Sequence, residues 1–145
     1  MLVACLALAA SGASGRKPPP EPPFQYAGGT ETIWPSCGGN LQVTSDSLVF
    51  KCPLTTVTIP FSSISIMEYR PDISPRVRKL KRHWTVEPPR ERGKENRYFT
   101  LVYKDAAATH IVVLRVAPLA LRPYLAEIEL KSGKRVEVMG YEEYP

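Results

Sequence analysis

Catalytic signatures and metal ligands are what this sequence has least of. Its 145 residues include two histidines, His83 and His110, the only side chains suited to act as bases near neutral pH. His83 lies in a basic run and His110 at an expected strand start, so each reads as a surface or turn histidine. The Ser62-Ser63 pair has no Gly-x-Ser-x-Gly elbow around it, and Glu142 and Glu143 sit in a terminal stretch where carboxylates are normally solvated. Cys37 and Cys52 without a nearby histidine pair fall short of a four-ligand metal site. These absences predict a non-catalytic protein with neither cofactor nor metal. No run approaches the roughly 20 apolar residues that a membrane-spanning helix needs, so a soluble or lipid-anchored product is expected.

The ends predict export. Residues 1–15 are apolar and then small, ending Ser11-Gly12-Ala13-Ser14-Gly15, as in the hydrophobic and cleavage regions of a secretory signal. No Lys or Arg precedes the apolar run. Leu2-Val3-Ala4-Cys5 also resembles the lipobox of bacterial lipoproteins, in which the cysteine is acylated, although here the apolar run continues past Cys5. Cleavage near Gly15, lipidation at Cys5 and an uncleaved apolar tail therefore stay open, and the expected location is periplasmic, extracellular or anchored to the envelope. Losing Cys5 leaves Cys37 and Cys52, an even pair flanking a candidate hairpin. An oxidising compartment would let them bridge, with two separate buried thiols as the alternative.

Prolines and periodicity set the expected organisation. Residues 16–28 contain Pro18-Pro19-Pro20-Glu21-Pro22-Pro23, which favours extended polyproline II and reads as a linker. The domain is expected over residues 29–139, with 140–145 as a frayed tail. Ile33 and Trp34 are expected to cover one end of the core. Leu41 and Val43, then Leu48 and Phe50 across a Ser45-Asp46-Ser47 turn, alternate with polar residues as a hairpin. Val57 and Ile59, ended by Pro60, give a third strand, and Ile64 and Ile66 through Tyr69 a fourth. Trp84 and Val86, then Phe99, Leu101 and Tyr103, then the more deeply buried residues 111–114 supply three more.

The period then changes. Leu121, Tyr124, Leu125 and Ile128 follow the spacing of one helical face. Pro123 is placed in the first turn and Gly133 at the left-handed stop, while Val136 and Val138 suggest a short extended tail. The fold class expected is mainly β with one C-terminal α-helix: seven short strands in a small barrel or sandwich, capped by that helix.

Asn40-Leu41-Gln42-Val43-Thr44-Ser45-Asp46-Ser47-Leu48-Val49-Phe50 and Ile59-Pro60-Phe61-Ser62-Ser63-Ile64 resemble bacterial PH-like and GRAM-like domains of the pleckstrin-homology superfold. The resemblance spans about residues 39–134 and implies a binding module rather than an enzyme, since fold alone does not settle function. Phosphoinositide-binding members use Lys and Arg around the first hairpin loop. Here that loop is Ser45-Asp46-Ser47, with one acid and no base.

Positive charge is concentrated elsewhere. Residues 76–97 hold nine Lys and Arg against three Glu, which accounts for the whole formal net charge of +5. Arg76, Arg78, Lys79, Lys81, Arg82 and Trp84 form the candidate anion-binding set, bases beside an aromatic as suits an anionic surface. An edge strand guarded by its bases would look the same. The expected function is an exported, non-catalytic module contacting a protein or an envelope component. Peripheral binding to an anionic membrane surface and carriage of a small lipophilic ligand in a barrel cavity are the alternatives, and export argues against nucleic acid.

Overall fold

Alternating apolar side chains in the first half of the chain and a helical period in the second produce a single sheet wrapped on one helix. A computed structural model describes residues 22–80, 84–86 and 97–139. In chain order the strands are β1 (Phe24–Gly29), β2 (Gly38–Val43), β3 (Ser47–Cys52), β4 (Thr55–Pro60) and β5 (Ile64–Arg70), followed by the short helix α1 (Pro75–Arg78). Then come β6 (Thr85–Val86), β7 (Arg97–Lys104), β8 (Thr109–Val116), the long helix α2 (Pro118–Ser132) and β9 (Glu137–Val138). Among the described residues the strands form one sheet in the order β4-β3-β2-β1-β8-β7-β5-β9, with β6 beside β1.

The expected barrel is not formed: the sheet is open, with nine strands among the described residues. Its two halves curl toward each other, because β4 passes to β5 through a single 3-10 turn, Phe61–Ser63. Both edges of β5 are nevertheless taken. One pairs along its length with β7, and the other receives β9 in parallel at Glu68 and Tyr69. At the start of β5 the Lys134 ammonium donates to the carbonyls of Phe61 and Ile64. A side chain and a two-residue strand thus occupy the place where β4 would have closed the ladder.

The main core lies on the concave face. Phe24, Phe50, Ile59, Tyr69, Phe99 and Leu114 meet Leu121 and Ile128 of α2 there, as the helical period predicts. A second cluster on the other face joins Ile73 and Val77 to Tyr98, Val102, Ile111 and Val113, with Trp84 and Val86 packed against it. β7 and β8 are therefore covered on both faces, which is why residues 111–114 read as a continuous apolar run.

Three elements differ from the sequence expectation, the first being the short helix α1 at Pro75–Arg78, where only one helix, the C-terminal one, was expected. Phe24–Gly29 is a strand, although its residues up to Gly28 read as linker. It is strand-like despite Gly28-Gly29 because β1 is squeezed between neighbours: an added Cβ would lie 2.1 Å from the Thr85 carbonyl oxygen at Gly28 and 2.1 Å from that of Ile111 at Gly29. Glycine is needed here for close backbone approach. Helix α2 starts at Pro118, so Pro123 lies inside it rather than in its first turn. Gly133 does stop the helix in the left-handed region, at φ 66°.

A rigid loop that presents Trp34 beside the disulfide

The connection from β1 to β2, residues 30–37, is anchored at nearly every residue. At its start the Thr30 amide donates to the Ile111 carbonyl at 2.8 Å, and the Thr30 hydroxyl accepts from the Ile111 amide at 2.9 Å. The Glu31 carboxylate then accepts a short hydrogen bond from the Tyr103 hydroxyl and lies 3.0 Å from His110 Nδ1. The Glu31 carbonyl accepts from Tyr26 Oη at 3.2 Å. At the far end the Ser36 amide donates to the Tyr26 carbonyl at 2.8 Å, and the Tyr26 amide to the Cys37 carbonyl at 3.0 Å. Cys37 is bonded to Cys52, with their Cα atoms 6.0 Å apart, so the expected disulfide is present.

His110 is the hinge of the polar anchor. Its ring stacks on Tyr103 with centroids 4.9 Å apart, and its Nε2 lies 2.6 Å from Asp105 Oδ2. The other Asp105 oxygen accepts from the amides of Ala107 and Ala108, both at 2.8 Å, in the β7–β8 turn. These two amides, and then His110, hold the Asp105 carboxyl below its usual range. Burial pushes the Tyr26 hydroxyl up to about 12, and burial followed by the Glu31 hydrogen bond raises that of Tyr103 further. Both phenols are thus held as neutral donors through the physiological range. Each nitrogen of His110 faces a carboxylate, so the ring clasps loop to hairpin and directs neither nitrogen at open space. Among the described residues no group of three or more His, Cys, Asp or Glu is placed to hold a metal ion.

This anchoring holds Ile33 against the main core, as expected, and leaves Thr32, Trp34 and Pro35 exposed. Trp34, expected to cover the core, is instead 84 % exposed. Leu54, in the turn between β3 and β4, is fully exposed. They are the two most exposed large apolar side chains among the described residues, and both flank the disulfide, three residues before Cys37 and two after Cys52. The only non-glycine residues with positive φ among those described lie at the same end, Ser36 at 64° and Leu54 at 68°. A leucine in the left-handed region costs about 1–2 kcal/mol. With Pro53 before it, Leu54 occupies the type II turn position that glycine or asparagine would fill without strain.

Beside the loop is a solvent-open hollow of about 280 Å³, lined by Tyr26, Gly28, Gly29, Glu31, Pro35 and the short strand Thr85–Val86. A larger cleft of about 650 Å³, open to solvent, runs between α2 and residues 135–138. Its acids are engaged: Glu129 accepts from the Val136 amide at 3.0 Å, and Glu137 pairs with Arg76 at 2.6 Å.

The described members of the expected anion-binding set differ in their surroundings. Arg76 is drawn into two ion pairs, 2.6 Å to Glu68 and 2.6 Å to Glu137, and the Glu68 hydrogen bond raises its pKa. Arg78 and Lys79 are exposed on and just after α1, whereas Trp84 is half-buried against the second core cluster. Lys81, Arg82, His83 and Cys5 lie outside the described residues. Glu31, Tyr103, Asp105 and His110 were not singled out as a group from the sequence. They lie up to 79 positions apart, and no spacing rule connects them. The chain matches no protein-family model and no curated protein.

Proposed function

We propose that this is a non-catalytic, exported interaction module that contacts a protein or cell-envelope component through its disulfide-pinned end, with Trp34 and Leu54 as the apolar anchors. One observation carries the reading: among the described residues, the strongly exposed Trp34 and Leu54 and both non-glycine residues with positive φ coincide at the end held by Cys37–Cys52. Strain retained at an exposed position points to function rather than stability. Exposed tryptophan is the residue type most enriched at binding hot spots. A loop fixed in advance by Glu31, Tyr103, His110 and the disulfide loses little conformational entropy when it binds. The disulfide suits an oxidising compartment, which supports export. A β-meander followed by a C-terminal helix is compatible with a PH-like shape, but the reading does not depend on that kinship.

The test is site-specific photo-crosslinking in cells that make the protein. A crosslinking side chain is placed at position 34, at position 54, or at Leu130, which is 83 % exposed on α2. Discrete adducts from positions 34 and 54 to a component other than a second copy of this chain, absent from position 130 and competed by added wild-type domain but not by Trp34→Ala, are the expected result. No adduct from 34 or 54, or the same adducts from 130, would overturn the reading.

A further inference from the structure

The free edge of β4 is a second surface, which borders the Trp34 end and shares Leu54 with it. β4 is six residues long, Thr55–Pro60, and β3 is the one strand that pairs with it among the described residues. The two are joined by the two-residue turn Pro53-Leu54, which sets Cys52 opposite Thr55. In such a hairpin the pair flanking the turn exchanges hydrogen bonds, and the pairs alternate from there. The amides and carbonyls of Thr55, Val57 and Ile59 therefore face β3. Those of Thr56 and Thr58 face outward, as does the Pro60 carbonyl.

This edge lacks the usual guards. Natural edge strands are blunted by lysine, inward charges or bulges. Here the sequence is Thr-Thr-Val-Thr-Ile-Pro, without a charge and β-branched at every position before the proline. Pro60 limits pairing at one end only.

We propose that β4 pairs antiparallel with β4 of a second copy of this chain, about a two-fold axis at Val57. In that register Thr56 lies opposite Thr58 of the second copy and Thr58 opposite its Thr56, so each outward amide finds an outward carbonyl. The exposed face gains threonine–threonine cross-strand pairs, a favoured combination. Leu54, fully exposed in the monomer, comes opposite the exposed Pro60 of the second copy. The missing proline N–H falls at the end of the ladder, where no bond depends on it. Lys51, paired with Thr56 inside each copy, falls in line with Val49 of the second copy rather than its Lys51, so like charges are not opposed. The same edge could accept a different extended peptide. The self-match of register, the absence of charge and the Leu54–Pro60 contact favour the second copy.

A strand this short buries less than the roughly 1,000 Å² typical of stable interfaces, so the dimer is reversible, with a dissociation constant of about 10 µM to about 1 mM. Sedimentation velocity of the full chain across that range, with amide hydrogen exchange at both ends of it, tests the proposal. The expected result is a shift from monomer to dimer, with Thr56 and Thr58 amides gaining about tenfold protection at high concentration while Val57 and Ile59 are protected throughout. Thr58→Lys, at an exposed position, is expected to keep the thermal midpoint and abolish the shift. A monomer at every concentration, Thr56 and Thr58 amides protected even when dilute, or a dimer unaffected by Thr58→Lys would each overturn it. The crosslinking result at position 34 is independent of all three.

Discussion

Replacing Arg76 by alanine separates a structural arginine from a ligand-binding one. Arg76 joins two strands and a helix: from α1 it reaches Glu68 on β5 and Glu137 on β9. The Glu68 side chain is only 3 % exposed, and its Oε2 has no hydrogen-bond partner. In Arg76→Ala that carboxylate is left buried and uncompensated, a situation that costs about 3–5 kcal/mol in a fully buried pair. Because the Arg76 side chain is itself 49 % exposed, water can follow the deletion, and we expect about 2–3 kcal/mol. For a domain of this size that lowers the thermal midpoint by about 10 °C. Glu68→Gln in the same background removes the stranded charge and is expected to restore about half of the loss. Thermal and urea unfolding of the wild type, both single variants and the double variant give the coupling energy directly. A loss below about 0.5 kcal/mol for Arg76→Ala, or strict additivity in the cycle, would refute the assignment and return Arg76 to the pool of free surface bases.

Three further outcomes follow from the geometry. Reducing Cys37–Cys52, which closes a separation of 15 residues, should cost about 3 kcal/mol by the chain-entropy relation, seen as a lower urea midpoint with reductant; an unchanged midpoint would show that the loop is held by its hydrogen bonds alone. Leu54→Gly should raise stability by about 0.5–1 kcal/mol, since it relieves the positive φ and loses no packing, while weakening crosslinking at the Trp34 end; a destabilised variant would mean that Leu54 packs in the folded protein. At alkaline pH the neutral Tyr26 and Tyr103 hydroxyls are favoured by the fold, because their pKa values are raised above that of the unfolded chain. Their stabilisation is complete below about pH 10 and is lost as pH rises from there through the folded value, about 12 for Tyr26. Tyrosinate absorbance should therefore rise together with loss of circular dichroism, and full ionisation of the folded protein at pH 11 would contradict the burial.

Local chemistry made much of this legible in advance. Strict alternation marked β2, β3 and β4, the two-sided apolar run marked β8, and Gly133 marked the end of α2. These signals lie within a few residues of what they specify, and the two cysteines are brought together by the one hairpin between them. The strand at Phe24–Gly29 was hidden because its glycines answer to carbonyls of Thr85 and Ile111, more than fifty residues away in sequence. Trp34 was paired with Ile33 as cover for one end of the core; Ile33 does pack there, and only the loop geometry turns Trp34 outward.

The basic run shows the same division. Its composition was plain from the sequence, but an ion pair depends on which acid the fold brings within reach. Glu68 and Glu137 take Arg76 out of the candidate surface. Likewise, seven expected strands and a helix did not determine whether the sheet would close, because closure depends on which partner occupies the last edge of β5. β9 and Lys134 take it. The sequence by itself determined most of the strands, the long helix and its stop, since each is a short-range property of neighbouring residues, and it offered Cys37–Cys52 as one of two readings. Tertiary structure alone decided the open sheet, the Glu31–Tyr103–His110 clasp and the outward Trp34, because each is a contact between segments that meet only after the chain has folded.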